Sequence, residues 1–406
     1  MILQKKPGER VRSLRSGFAA NLSARMGVVY CVYFMIYSVT SPYLQLILRR
    51  LGYGPAAIGL LLGFYELVGI AGPIVLARAA DAAGKFKPFL YGTHLAMLAA
   101  AAILATIRSP IAIIVSLSFL ALGLKTPGPV LDSSALIAIE AERAAGRKVI
   151  DYGTLRAIGS AGYVLIVLIL QAIPGYDGNP PFVMAMAMAA FMLLSMASIT
   201  IFPEMGSGRA RSGKRPINLS WVDAPFVIGL ITIALGRLAM APTGSFFSLY
   251  LVEELDWYAV GGMYALAAIA EIPMMLVAWR FMRKRSPMAA IAISSAAIVV
   301  RLLIYALVPT KGGVVTAQLL HSLCYGLFQP ASVAFVNLKT PPAERTTGMA
   351  LLLGIGIGLP AFIGSAIGGF IVEAVGYRWL FASFCVFAAA SLALYAANRK
   401  ALDAVR

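Results

Sequence analysis

The chain alternates between long apolar stretches and short polar turns along nearly its whole length. An apolar stretch of about 20 residues is long enough to cross the hydrocarbon core of a membrane as a helix. The pattern predicts an all-α integral membrane protein with twelve transmembrane helices. The predicted spans 1 to 12 cover residues 21–48, 55–78, 87–107, 110–137, 152–173, 181–202, 222–251, 257–282, 287–308, 313–338, 344–371 and 378–398.

A polar segment divides the spans into two groups of six. Residues 203–220 are rich in Gly, Ser, Arg and Pro, which is typical of a flexible connector. We therefore predict an N-terminal six-helix bundle at 1–202, a cytoplasmic linker at 203–220 and a C-terminal six-helix bundle at 221–406.

The two halves resemble each other in sequence. When the chain is displaced by 204–205 residues, YLQLILRRLGY (43–53) aligns with FSLYLVEELDW (247–257), and Glu66 aligns with Glu271. This pattern indicates an internal duplication and thus two pseudo-symmetric bundles. Parallel repeats of this kind place a substrate site near the membrane midplane, between the halves.

Composition and charge placement favour the same class of protein. Of 406 residues, 60% are hydrophobic and 13% are charged, whereas soluble proteins have about 25% charged residues. The net charge of +17 does not indicate a nucleic-acid partner, because 25 of the 34 Lys and Arg residues fall at one predicted membrane face and five at the other. The positive-inside rule then predicts a multi-pass protein of the cell inner membrane with both termini in the cytoplasm.

Other chemical signatures point away from enzymes and exported proteins. The first apolar run is span-length and lacks a following small-residue cleavage site, so we expect no cleaved signal. Cys31, Cys324 and Cys385 lie in apolar runs and predict no disulfide framework. A phosphate-binding G-x-x-x-x-G-K-[ST] motif and Cys/His metal-ligand spacings are missing from the sequence. We expect no enzyme activity, no cofactor and no metal site.

Three ionisable residues lie deep in successive spans of the second half: Glu271 in span 8, Arg301 in span 9 and His321 in span 10. A charge at this depth costs a few kcal/mol unless it meets a partner or water. The three side chains can satisfy one another, and they can also carry a proton through the membrane. A buried ion pair with a purely structural role is the alternative for Glu271 and Arg301.

Span 1 carries a stripe of phenols at helical spacing. Tyr30, Tyr33 and Tyr37 recur on one face, and we expect them to line a wet, substrate-binding cavity. An interfacial aromatic belt is the alternative and fits Tyr43 and Tyr53 better, since these two lie closer to the span end.

Two basic residues lie within spans of opposite halves. Lys125 and Arg237 are placed to bind an anionic group of a substrate, such as a carboxylate. In the alternative, either residue neutralises Glu66 at the centre of span 2.

Charged residues near the span ends suggest gates. Arg49 and Arg50 end span 1, and Glu253 and Glu254 occupy the matching positions after span 7, so we predict an ion-pair latch at the outer face; solvated loop charges are the alternative. Asp132 of span 4 and Arg156 of span 5 lie at a similar depth near the cytoplasmic ends of two antiparallel helices. We therefore predict that they form a second gate pair.

The two groups of six spans and the basic turns after spans 2 and 8 resemble the major facilitator superfamily. The stretch ARAADAAGKFKP (77–88) is similar to the superfamily's signature between spans 2 and 3, with its Asp and later basic residues kept as Asp81, Lys85 and Lys87. The resemblance implies that Asp81, with basic partners such as Arg78 and Lys87, locks the inward-closed state.

Within the superfamily, five stretches resemble the branch that holds the lactose permease, nucleoside–proton symporters and the phenylpropionate permease. The resemblance implies that Glu271, Arg301 and His321 join substrate binding to proton coupling, with Gln318 one turn from His321. The branch's carboxylate after the histidine is replaced here by Cys324, so Glu271 or Glu66 is the better proton carrier. The five stretches are 33–63, 129–136, 152–163, 270–275 and 318–335.

Together these features predict a secondary active transporter. We expect proton-coupled import of a small polar organic solute (a sugar, a nucleoside or an aromatic carboxylate) by a rocker-switch movement of the halves. The expected partners are this solute, the proton and the lipid bilayer, and the expected state is a monomer. The alternatives are an exporter or lipid-related transporter of the same fold, or a membrane sensor that does not transport.

Overall fold

A computed structural model describes residues 22–83, 86–146, 148–202 and 219–404, with side chains throughout except at 73–83 and 133. Within these residues the chain folds into helices without strands, and twelve helical segments are long and apolar enough to cross a membrane. The predicted all-α class and number of spans are confirmed. The predicted linker lies almost wholly outside the described residues, and its boundaries stay a prediction.

The spans keep the predicted order, and their bounds differ most at the ends of spans 2, 4 and 7. Span 2 belongs to a helix that continues to Ala83. The spans of the N-terminal half are Leu22–Arg50, Pro55–Gly72, Lys87–Thr106, Pro110–Ala144, Tyr152–Ala172 and Pro181–Ile201. Those of the C-terminal half are Ala224–Ser245, Val260–Lys284, Pro287–Leu307, Lys311–Lys339, Pro342–Val375 and Tyr377–Ala397.

Several spans begin at residues that the sequence marks as helix starts. The side chains of Asp151, Asp223, Ser286 and Thr310 each accept a hydrogen bond from the backbone amide three residues later. Such caps satisfy amides that have no partner within the helix.

Three spans are interrupted near prolines. Span 1 breaks at 41–43 around Pro42, span 4 breaks at Thr126 before Pro127, and span 7 ends at Ser245, one turn after Pro242. Proline removes a backbone donor and crowds the preceding turn, so the helix cannot continue unchanged.

Wider π-helical turns occur in the C-terminal half. The extension of span 7, span 10 and span 11 each contain one such stretch. The hydrophobic pattern does not predict them, since a single inserted residue barely disturbs an apolar run. π-Helical turns are frequent at functional sites. The stretches are Tyr250–Glu254, Ser322–Leu327 and Leu352–Gly358.

Each half packs as a bundle of its own six spans. In the N-terminal half span 1 packs on spans 5 and 6, and span 3 packs on spans 4 and 6; in the C-terminal half span 12 packs on spans 7 and 9. The halves meet where span 2 packs on span 11 and span 5 packs on span 8. In the internal repeat, span 2 corresponds to span 8 and span 5 corresponds to span 11. The two contacts are therefore equivalent, as expected for halves related by a pseudo-twofold axis.

Candidate functional site

A cavity of about 150 Å³ lies between the two halves, beside the breaks of spans 1 and 7. Spans 1 and 2 supply one wall, and spans 7, 10 and 11 supply the other. Tyr65 and Tyr325 contribute aromatic surface from opposite halves. Hydroxyl, amide and charged groups also line the cavity; they include Thr40, Ser41, Gln45, Glu66, Arg237, Ser245 and Ser365.

The cavity is closed on one side of the membrane by hydrogen bonds between spans 1 and 7. We call this side, which lies opposite the chain termini, the distal face. The Ser248 hydroxyl donates to the carbonyl oxygen of Pro42 (2.6 Å), and the Gln45 amide donates to the Ser248 hydroxyl (2.8 Å). All three groups are at the broken ends of their spans, so the proline breaks expose the polar atoms that join the halves.

A second set of distal contacts joins spans 5 and 8. The amide of Val260, at the start of span 8, donates to the Asp177 carboxylate (2.9 Å), and the amide of Gly262 donates to Gln171 (2.9 Å). Asp177 is only 1% exposed, and this burial raises its pKa above the ordinary range. Within the described residues, every hydrogen bond found between the halves lies at the distal face, so the structure is closed there.

The predicted latch residues meet in part. Arg49 contacts Glu253 at 2.6 Å, and Tyr377 donates to the other oxygen of the same carboxylate (2.6 Å). Arg49 and Glu253 are 204 residues apart and hence occupy equivalent positions of the repeat. Equivalent positions lie on opposite sides of the pseudo-twofold axis, so residues close to that axis can touch.

The other two predicted latch residues do not pair with each other. Arg50 donates to the carbonyl oxygens of Asp177 and Asn179 in its own half, and Glu254 is exposed. Arg50 follows Arg49 on a helix, so its side chain points about 100° away, toward the loop after span 5.

Close backbone contact between spans 2 and 11 also holds the distal face. A Cβ atom at Gly59 would lie 2.4 Å from the carbonyl oxygen of Ser365, and one at Gly369 would lie 2.4 Å from that of Pro55. Small residues at helix interfaces allow this approach.

We predict that Gly59→Leu prevents distal closure, because the added side chain meets backbone atoms that cannot move aside. A Ser245→Cys reporter in the cavity should then react with a membrane-impermeant maleimide added at the distal face, at least tenfold faster than in the unmodified background. Gly92→Leu in span 3 is the matched control, since a Cβ there has open space. Unchanged labelling in Gly59→Leu contradicts the contact.

The three deep ionisable residues of spans 8 to 10 form a contact chain. Arg301 is 3% exposed and contacts His321 Nδ1 at 3.0 Å, while His321 Nε2 lies 3.6 Å from the Glu271 carboxylate. Arg301 can only donate, so Nδ1 accepts and the ring proton of the neutral imidazole lies on Nε2, facing Glu271. Gln318 and Tyr305 complete the shell of Arg301 through hydrogen bonds.

The surroundings of His321 connect this chain to the cavity. His321 lies where span 10 changes to its π-helical stretch, and its ring stacks on Tyr325 with centroids 4.6 Å apart. Tyr325 also lines the cavity. Cys324 is fully buried.

In the N-terminal half, Glu66 and Lys125 form an ion pair. Their charged atoms are 2.6 Å apart, and the Lys125 ammonium lies 4.8 Å from the centre of the Tyr65 ring. The structure thus favours the alternative in which Lys125 neutralises Glu66. Both side chains keep about a quarter of their surface exposed (25% and 30%), consistent with a hydrated cavity wall.

Arg237 is placed differently from Lys125. Its guanidinium lines the cavity and lies 5.1 Å from the centre of the Tyr325 ring. The Nε atom is buried and has no hydrogen-bond partner among the described residues.

The phenol stripe of span 1 differs from expectation. Tyr33 and Tyr37 donate to the carbonyl oxygen of Leu124 (2.7 and 2.8 Å), close to the break of span 4, and Tyr30 donates to Asp132 (2.8 Å). Tyr30 and Tyr33 are 1% and 2% exposed, so they do not line the cavity in this conformation. The hydroxyls of Tyr33 and Tyr37 satisfy a carbonyl oxygen that the break leaves within the membrane.

The remaining gate residues act within one half. Asp132 and Arg156 approach to 4.0 Å, and Arg156 also lies over the Phe34 ring, but both belong to the N-terminal half and do not bridge the two. Lys87 donates to the carbonyl oxygen of Thr200 in the same half. The side chains of Arg78 and Asp81 lie outside the described residues.

Sequence reasoning missed the polar residues that join the halves. Three of them are neutral and the fourth lies close to a span end, so none is a charge deep inside an apolar run. These residues are Gln45, Gln171 and Ser248, and Glu373 near the end of span 11. The one available signal was the repeat, which places Ser248 and Gln45 in the aligned segments 247–257 and 43–53.

Comparisons with known proteins agree with this architecture. The profile of the MFS_1 like family matches residues 23–383. A maltose permease of Geobacillus stearothermophilus is 24% identical over 397 residues, which cover 95% of this chain and 98% of that protein.

Two solved structures share the fold. A mutant of the nucleoside transporter NupG gives a TM-score of 0.80 at 16% identity, covering 93% of this chain and 99% of that chain. A peptide transporter POT in complex with sulfate gives a TM-score of 0.74 at 13% identity, covering 94% of each chain. The predicted major facilitator fold with two six-helix bundles is confirmed, as is the expectation that the protein is not an enzyme. The chain therefore belongs to the MFS_1-like family and is a multi-pass membrane transporter of the major facilitator type.

Proposed function

We propose that this transporter couples proton entry to the import of a small polar organic solute. In this proposal the distal face is the cell exterior, both termini are cytoplasmic, and the protein acts as a monomer in the cytoplasmic membrane. The structure would then be the inward-facing state, since its distal face is closed. The marked excess of basic residues at the terminal side supports this orientation.

The contact chain from Glu271 through His321 to Arg301 carries the proposal. A carboxylate, an imidazole and a guanidinium within the membrane are costly to keep, and such residues mark proton and substrate paths. The Glu271 side chain is 26% exposed, and in this proposal water that enters from the open side, opposite the distal face, brings it a proton. The N-terminal counterpart Glu66 is already neutralised by Lys125, which favours Glu271 as the proton carrier.

Coupling follows from the charge of Glu271. When ionised, the Glu271 carboxylate attracts the Nε2 proton of His321. The proton therefore stays on Nε2, and Nδ1 continues to accept the hydrogen bond from Arg301. Protonation of Glu271 weakens this attraction and frees the imidazole and Tyr325 to change position at the cavity wall. Solute affinity at the distal side would therefore rise with protonation, and release of the proton to the cytoplasm would favour solute release.

The cavity chemistry suits a solute rich in hydroxyl groups or bearing an aromatic ring. Ser41, Ser245 and Ser365 offer hydroxyls, and Tyr65 and Tyr325 add aromatic rings to the lining. A sugar, a nucleoside and an aromatic carboxylate all meet this description. A maltose permease among the sequence relatives and a nucleoside transporter among the structural neighbours support the general class.

A two-stage experiment tests the proposal. Purified protein is first screened by thermal shift against sugars, nucleosides and aromatic acids, and solutes that stabilise it are then offered to proteoliposomes. With an inward proton gradient of two pH units, a coupling of one proton supports up to about a hundredfold accumulation, since each unit is worth about 1.4 kcal/mol. A protonophore should abolish the accumulation. Binding without uptake of any solute favours a sensor, and outward movement against the gradient favours an exporter.

A further inference from the structure

We propose that the transported solute carries one carboxylate and that Arg237 binds it. This assignment rests on the proposed function and narrows its substrate class. The guanidinium of Arg237 lines the cavity between the halves, where the solute would sit. It lies on span 7, five residues before Pro242, in the helix whose broken end closes the distal face.

Arg237 differs from the other deep cations in having no hydrogen-bond partner among the described residues. Lys125 pairs with Glu66 at 2.6 Å, and Arg301 is held by His321, Gln318 and Tyr305. For Arg237, the described residues supply only the ring of Tyr325, and its buried Nε finds no acceptor. A guanidinium presents five N–H donors in a planar fork that matches a carboxylate. A buried donor without an acceptor costs about 1–3 kcal/mol, which a carboxylate ligand would recover.

The charges around the cavity also leave room for one anion. Lys125, Arg237 and Arg301 are cationic, and Glu66 and Glu271 are anionic, so with His321 neutral this set carries one net positive charge. Asp132 and Arg156 carry opposite charges, so this pair does not change the net charge of the set. Protonation of Glu271 raises this charge to two, and one bound carboxylate returns it to the single charge of the empty, deprotonated state. A neutral solute would instead cross with two uncompensated positive charges within the membrane.

The Arg237 and Tyr325 pair further restricts the solute. The guanidinium covers part of the Tyr325 ring, while Tyr65 and the hydroxyls of Ser41, Ser245 and Ser365 complete the lining. A small monocarboxylate with a ring or hydroxyl groups can therefore place its carboxylate on Arg237 and its body between the two tyrosines.

Substitution of Arg237 tests the assignment. In proteoliposomes, Arg237→Gln should weaken transport of the best monocarboxylate at least tenfold while the primary amide of the same acid is bound no worse, and Arg237→Lys should keep part of the carboxylate preference. Arg283→Gln, an exposed arginine at the terminal face, is the matched control. Thermal shift with the same two solutes shows whether Arg237→Gln is folded. Equal loss for acid and amide, or no loss, overturns the assignment.

The electrical character of transport separates this assignment from the proposed function. A monoanion moving with one proton is electroneutral, so a potassium diffusion potential should leave the initial uptake rate unchanged while a pH gradient drives it. Uptake driven by both the pH gradient and an inside-negative potential means that net positive charge enters with the solute, which overturns a monoanion moving with one proton but keeps proton coupling. Uptake that ignores the pH gradient overturns the proposed function itself.

Discussion

Glu271→Gln should abolish concentrative uptake while leaving exchange of solute across the membrane intact. Glutamine keeps the size and hydrogen-bonding capacity of the side chain but cannot bind or release a proton. It mimics the protonated carboxylate, which no longer attracts His321 across 3.6 Å. With a gradient of two pH units, the accumulation ratio should fall from its value of up to about one hundred to about one.

Counterflow provides the matched measurement for this variant. Vesicles loaded with unlabelled solute should take up labelled solute at a rate within a few-fold of the unsubstituted protein, because exchange does not require net proton movement. Glu66→Gln is the comparison in the other half; it breaks the pair with Lys125 and should reduce affinity without removing proton dependence. Loss of counterflow in Glu271→Gln, or retained accumulation, contradicts the assigned role.

Charge reversal at the distal latch should open that face. The charged atoms of Arg49 and Glu253 are 2.6 Å apart. Glu253→Arg places a second arginine beside Arg49 and removes the carboxylate that accepts the hydrogen bond of Tyr377. The pair is partly exposed (41% and 28%), so its loss together with the new repulsion is worth roughly 1–2 kcal/mol, a factor of about 5–30 in the ratio of closed to open states.

The exchanged pair is the sharpest control for the latch. Arg49→Glu combined with Glu253→Arg should restore closure, since opposite charges again face each other across the pseudo-twofold axis. Glu254→Arg should have a smaller effect because the ion pair with Arg49 is made by Glu253 and not by Glu254. Labelling of Ser245→Cys from the distal face, at low and high salt, reports the outcome. If the single and exchanged variants label at the same rate, the contact does not control the gate.

Much of the architecture follows from the sequence because the membrane interior strongly restricts both backbone conformation and the placement of charges. Apolar runs must be helices, and charges within them must find partners, so twelve spans and the neighbourhood of Glu271, Arg301 and His321 were predictable. The repeat in the sequence aligns Arg49 with Glu253.

Other features depend on details that the sequence pattern does not encode. The π-helical turns of spans 7, 10 and 11 involve single-residue insertions. The burial of Tyr30 and Tyr33 follows from the exact place at which span 4 breaks, which decides whether a phenol meets water or an unsatisfied carbonyl oxygen. The different directions of Arg49 and Arg50 depend on the rotation of a short helix, Leu44–Arg50, after the Pro42 break.

The most direct test of proton-coupled import measures proton movement into the vesicles rather than solute uptake. Proteoliposomes that enclose a pH indicator, with no initial pH or electrical gradient, receive a solute identified by the thermal-shift screen. Proton-coupled import predicts that an inward solute gradient alone acidifies the interior, and that the signal is absent in Glu271→Gln. Solute uptake of normal rate with no change in internal pH contradicts the account.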